Sequence, residues 1–458
     1  MISRRALLSL AAAGMAAPRF AFAQSSDGVI EIRAMKLEGQ VLDAGQPGTE
    51  LWSYGPTWPQ PILRARQGQE FVARFVNELD ATLSLHWYGV RGPAEMMSLR
   101  IAPGDANAFE CRFTPPDAGT FWLGPIADVS RQREMGLYAM LIVEESEPLS
   151  SLVEVPLVLD DWKLDDEGRI DDDFDDIEEA IAQGRLGNWF TVNGGYRPRI
   201  EVPRGRIARL RMLNTANVRT IGVQFKGADP WIAALDGQPI RPVKVGTGPL
   251  LLAPGQRADL LLAESADEVI LALDLFEDVV EIAYIERVGD GTASLPDDFM
   301  LPLNPLPPDI DVKAARKVPF VIEGGAKGGL KSATYGGEKL DIRALLERNL
   351  AWAFNGTASL AADPWQTFNL GEVVLLDVEN RTAFAQPLHI HGHVWREVER
   401  AGKPIVDGPW RDTAVIPPKT SAKLVMRFDN PGDWALQSTI AERIDTGLIT
   451  AFRVSESA

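Results

Sequence analysis

Thiol is nearly absent from this chain: Cys111 is the one cysteine in 458 residues. A lone cysteine excludes an internal disulfide, so stability has to come from burial, which a chain of this length supplies. Histidine is also scarce, at four residues, which limits any site built on imidazole. Basic residues are outnumbered, 46 Lys and Arg against 64 Asp and Glu, for a net charge of −18. Such a surface is a poor match for nucleic acid or anionic lipid. No segment offers the roughly 20 consecutive apolar residues that span a bilayer. Helix signals are few, with residues 340–350 the best candidate.

Turn formers are plentiful instead, with 40 Gly and 32 Pro, the composition of many short strands joined by turns. At the N-terminus, Ser3-Arg4-Arg5-Ala6-Leu7-Leu8 leads into a short apolar run ending at Ala17, and Ala21-Phe22-Ala23 offers an A-x-A cleavage site. This is the pattern of a secretory signal peptide over residues 1–23, and its paired arginines resemble the twin-arginine type, which exports folded proteins. A periplasmic location is therefore expected. Loss of that segment, with its three arginines, would leave 43 basic against 64 acidic residues, a net of −21. Twelve of the acids fall between Asp160 and Glu179. They read as a solvated loop, with a cation site or a basic partner as the alternative.

One pattern is written three times. Proline, six residues, glycine, eight residues and asparagine occur as Pro61, Gly68, Asn77, then Pro198, Gly205, Asn214, then Pro364, Gly371, Asn380. Between each Gly and Asn lies an apolar, strand-like run. The first and third copies share more: His86 and His389 each follow their Asn by nine residues, and Gly89 and Gly392 by twelve. Repeats this far apart are whole domains rather than solenoid units. The expected fold is all-β, with three Greek-key sandwich domains at 28–147, 148–288 and 317–458 and a Pro-rich linker at 289–316.

Leu51-Trp52-Ser53-Tyr54-Gly55, His86-Trp87-Tyr88-Gly89 and Gly119-Thr120-Phe121-Trp122 resemble the first domain of the multicopper oxidases. Val192-Asn193-Gly194 and Ala253-Pro254-Gly255-Gln256-Arg257-Ala258-Asp259 resemble the second. His389-Ile390-His391-Gly392-His393, Trp410-Arg411-Asp412-Thr413 and Asn430-Pro431-Gly432-Asp433-Trp434 resemble the third. The resemblance covers nearly the whole chain in order, and it implies that the three domains are cupredoxin-like.

That family's chemistry uses a type 1 copper on one thiolate and two imidazoles, and a trinuclear cluster on eight imidazoles. Four histidines and one cysteine cannot supply this set. On the family's motifs, type 1 ligand positions carry Gln386, Ser438, Arg443 and Leu448, and trinuclear positions carry Tyr88, Gly124, Ile126, Gln437 and Thr439. Cys111 falls where the family has no ligand and reads as a buried small hydrophobe. His86 and His389 match the type 2 ligands, His391 matches one type 3 ligand, and His393 matches a histidine that is not a ligand. Arg443, if buried, needs an acid or a carbonyl.

Three readings of function follow. The first is a non-catalytic periplasmic protein with an envelope or divisome partner, resembling the copper-free cell-division branch of the family, the FtsP (SufI) type. It expects no cofactor, no nucleic acid and no membrane span, and leaves oligomeric state open. The second is a family oxidoreductase or metal-binding protein, with a single copper or zinc ion on His86, His389 and His391. The third is a small-molecule binder using the space beside the third domain.

Overall fold

Each copy of the repeated pattern folds into the same device. The computed structural model describes residues 28–456 apart from 175, 276–277, 308–309 and 360–362, so the expected signal peptide lies outside the described residues. Gly68, Gly205 and Gly371 all take positive φ, at 74°, 71° and 83°, a turn conformation that side chains resist. The strands Phe71–Asn77, Ile207–Asn214 and Val373–Asn380 follow. Each pairs in parallel with an earlier strand: Ile30–Gly39, Leu152–Trp162 and Arg316–Gly324.

The repeated asparagine ends its strand and bridges to the chain around it. Asn77 donates to the carbonyls of Ala81 (2.8 Å) and Ile101 (3.1 Å) and accepts from the amide of Leu79 (3.0 Å). Asn214 does the same with Arg219, Leu252 and Ala216, and Asn380 with Phe384, Ile416 and Thr382. An amide side chain has the two donors and the acceptor this tie requires.

Two sheets surround each repeat strand. In the first domain, Thr49–Ser53, Ile30–Gly39, Phe71–Asn77 and Phe109–Phe113 form one sheet. Leu63–Arg66, Ala139–Glu144, Gly119–Pro125, Leu83–Tyr88 and Ser98–Ile101 form the other. The second domain packs sheets of six and five strands, and the third packs sheets of seven and five strands beside a small hairpin. The fold is thus all-β, with three cupredoxin-like sandwiches. Helices are short, and the expected helical stretch contributes only Ile342–Leu346. Among the described residues, no helix is long and apolar enough to cross a membrane.

The cores are not divided three ways. One buried apolar cluster runs through the first and third domains, from Ile30 and Trp87 to Trp352, Phe428 and Val454, while the second domain keeps its own around Leu210 and Leu260. Cys111 belongs to the first cluster, its thiol pushed up to about 12 by burial.

Most described acids of the stretch are exposed or half-buried, as expected of a solvated loop, and its start departs from that reading. Asp160 and Asp161 are buried in the strand Leu152–Trp162. Asp161 accepts from the amide of Gly187 and from Arg219. Asp173 pairs with Lys163 and Arg185, and Asp176 caps the helix Ile177–Ile181. Buried positions need such partners, and charge counting along the sequence does not reveal them.

Candidate functional site

His86 and His389 come from corresponding strands of the first and third domains. On Leu83–Tyr88, His86 stands opposite Ser98 on one side and Gly124 on the other. On Gln386–Ile390, His389 stands opposite Thr413 and Gln437. His391 lies one residue beyond that strand, where its amide donates to the Ala435 carbonyl. The strand has ended there, yet the rings converge. Ring centroids are 3.6 Å apart for His86 and His391, 5.3 Å for His389 and His391, and 6.3 Å for His86 and His389.

All three imidazoles are buried, and none of their Nε2 atoms has a hydrogen-bond partner among the described residues. One nitrogen from each lies within 4.8 Å of the others. The opposite nitrogens of two rings are anchored: His86 Nδ1 to Ser98 Oγ at 3.0 Å, His389 Nδ1 to Thr413 Oγ1 at 3.0 Å. Burial, and then the neighbouring imidazoles, hold His86 and His391 well below the usual histidine range, so both are neutral. Neutral imidazole is the metal-binding form, and a hydrogen bond on the far nitrogen fixes its orientation. This donor set fits one divalent ion. It does not fit three.

A buried relay supports the site from the second domain. Asp412 Oδ1 lies 3.3 Å from His389 Nδ1 and accepts from Thr413 Oγ1 at 2.7 Å. Arg257 grips the same carboxylate in a fork, at 3.0 and 2.5 Å, and donates to the Thr120 carbonyl of the first domain at 3.1 Å. Burial alone would raise the Asp412 carboxyl, but Arg257 and then His389 hold it well below the usual range. Arg257 and Asp412 sit inside motifs visible in the sequence, but nothing there shows that residues 155 positions apart make one ion pair. Ser98 likewise carried no signal.

The positions assigned to absent ligands fall into two groups. Gln386, Ser438, Arg443 and Leu448 lie together and are closed. Arg443 Nη1 donates to Gln386 Oε1 (2.9 Å) and to the Ala385 carbonyl (2.8 Å), and its guanidinium lies over Trp352 and Phe384. The Ser438 amide donates to the Leu448 carbonyl, and Leu448 is part of the apolar core. Burial pushes Arg443 down to about 9, and its partners here are carbonyls, one of the two kinds expected.

Around the histidines, Tyr88 stacks on Trp122 (4.0 Å), donates to the Pro125 carbonyl (2.8 Å) and accepts from Gln437 (2.9 Å). Gly124 gives its side-chain space to Trp122, whose ring would lie 2.2 Å from an added Cβ. Arg133 donates to the Thr439 carbonyl and lies over the same indole. The Ile126 amide donates to Ser84 and is not part of the cluster. His393 packs among Phe428, Trp434 and Phe452, lowered to about 4 by burial, apart from the three converging rings.

Comparison with known proteins gives consistent findings. Two family profiles described as multicopper oxidase match residues 37–148 and 338–458. Multicopper oxidase MmcO of Mycobacterium tuberculosis is 26% identical over 86% of this chain and 81% of its own length. Cell division protein FtsP of Proteus mirabilis is 24% identical over 90% of this chain and 87% of its own. Among solved structures, a multicopper oxidase from Pseudomonas thermotolerans superposes with a TM-score of 0.77 at 28% identity, over 93% of this chain and 99% of that one.

Proposed function

This chain belongs to the multicopper oxidase family, and within it we propose a member that works through its surface rather than through copper, as an exported, non-catalytic envelope protein serving the division machinery. One observation carries the reading: Arg443, hydrogen-bonded to Gln386, fills the place where the family takes in electrons. Without a thiolate at Ser438 there is no blue copper centre, and without that centre no route for electrons from a substrate. Likeness to FtsP along most of the chain supports a division role. The expected result is that purified protein incubated with copper stays colourless and oxidises neither a phenol nor a reduced metal ion above the no-enzyme rate. In cells, deletion should disturb division under envelope stress, and a His389→Ala variant should restore it as well as the wild type. Copper-dependent turnover, or failure of only the His389→Ala variant to complement, would overturn the reading.

A second reading has its own support in the three unpartnered Nε2 atoms. His86, His389 and His391 would hold a single zinc or copper ion and so join the first and third domains. Such an ion would supply Lewis acidity at its open position. A ligand present at 100 times its dissociation constant stabilises the folded state by about 2.7 kcal/mol. Under the main reading, zinc or copper at tens of micromolar shifts melting little. A clear upward shift that vanishes in His389→Ala would establish the metal site.

A further inference from the structure

Away from the histidines, the three domains meet at a second buried polar junction. The first domain brings the helix Val129–Glu134, the second brings residues 163–188, and the third brings the helix Ala441–Asp445. Hydrogen bonds between the domains, each with a backbone group on one side, hold it together. The Ala441 amide donates to the Asn217 carbonyl, Trp352 Nε1 donates to the Ala180 carbonyl at 3.0 Å, and Asp445 accepts from the amides of Val129 and Ser130.

At its centre sits Glu442, 5% exposed, with neither carboxylate oxygen hydrogen-bonded by another of the described residues. Val218 and Gly184 pack close by, leaving an added Gly184 Cβ only 2.9 Å from Glu442 Oε2. The surrounding charge is unfavourable to another anion. Arg133 faces it from the first domain and Arg185 from the second, and Glu134, Asp173, Lys163 and Glu179 are tied to Arg185 in a chain of ion pairs. Asp160 and Asp161 come from the strand Leu152–Trp162, and Asp445 and Arg443 from its own helix. Arg185 is already engaged by Asp173 and Glu134, Lys163 by Asp173 and Glu179, and Arg443 by carbonyls. Arg133, with a bond to a carbonyl, and the already paired Arg185 offset Glu442 only in part.

We propose that this junction is a proton-controlled latch: it is closed while the Glu442 carboxyl keeps its proton and loosens when that proton leaves. An ionised carboxylate with no donor is among the costliest groups to bury, and opening relieves the cost by admitting water. The sign is consistent. Burial pushes Glu442 up to about 7, from an ordinary value of 4.5. A raised carboxyl stabilises the closed state at low pH, and that stability is lost as pH rises from about 5 through 7.

The test is amide hydrogen exchange at Ala441–Asp445 and Ile177–Ile181, corrected for intrinsic rates, at pH 5 and pH 8. Local opening should rise on the order of 10²-fold between them in the wild type. In Glu442→Gln, an uncharged near-isostere, most of that rise should disappear. A carboxyl-carbon NMR titration of wild-type Glu442 should give a midpoint between 6 and 8. An unchanged rise in Glu442→Gln, or a midpoint near 4.5, would overturn the latch.

Discussion

Arg257→Ala lowers stability by about 3–5 kcal/mol, the range expected when one partner of a buried ion pair is deleted. Arg257 is fully buried, and so is Asp412. Truncation leaves the Asp412 carboxylate with Thr413 and the His389 imidazole as its remaining neighbours. The carboxylate would respond by taking up a proton, so the damage should be worse at high pH than at low pH. Three domains also lose a shared fastener, since Arg257 reaches the Thr120 carbonyl as well. Urea unfolding at pH 7 measures the loss. A double variant, Arg257→Met with Asp412→Leu, removes both charges and should recover much of it. A single-variant loss below about 1 kcal/mol would mean that the pair only breaks even against its desolvation, and the relay would then have no structural weight.

Gly124→His is the second large effect, and it probes whether the family's ligand set can simply be written back. An added Cβ at 124 meets the Trp122 ring at 2.2 Å. That indole cannot retreat freely, because it stacks on Tyr88 and lies beneath Arg133. Overpacking of this kind costs about 1–3 kcal/mol, and loss of the aromatic stack adds about 0.5–1.5 kcal/mol. Combining Gly124→His with Trp122→Ala should relieve the clash, so the double variant should be more stable than the two losses added together. If Gly124→His alone melts with the wild type and takes up more than one copper per chain, the pocket is open and the packing argument fails.

These two substitutions mark where sequence stopped being informative. The repeat Pro61, Gly68, Asn77 and its two later copies revealed domain number and strand position because its causes are local: a positive-φ turn and an asparagine tying its own strand end. His86 and His389 could be placed together by resemblance alone. The Trp122 ring over Gly124, the Arg257 fork on Asp412 and the bare carboxylate of Glu442 were not legible. The Arg257 fork and the Glu442 junction depend on side chains from different domains meeting after folding, which no spacing along the chain encodes; Trp122 and Gly124 are neighbours on one strand, but the turn of the indole over the glycine is set by its stack on Tyr88 and by Arg133. The first two acids of the acidic run were misread for the opposite reason. Its charges are obvious in sequence, but burial of Asp160 and Asp161 is decided by the strand that carries them.

The apolar cluster shared by the first and third domains has a consequence for synthesis. The first domain is complete in sequence at Glu144, yet part of the surface that covers its core belongs to strands ending at Ser455. At about 5–20 residues per second, the ribosome needs roughly 15–60 s to make the intervening chain. Throughout that interval the early domain carries an unfinished greasy face with no mate. Its yield in the cell is therefore set by what shields that face while translation catches up, and slow codons or stalls after residue 150 should send more of it into inclusion bodies than stalls near the end.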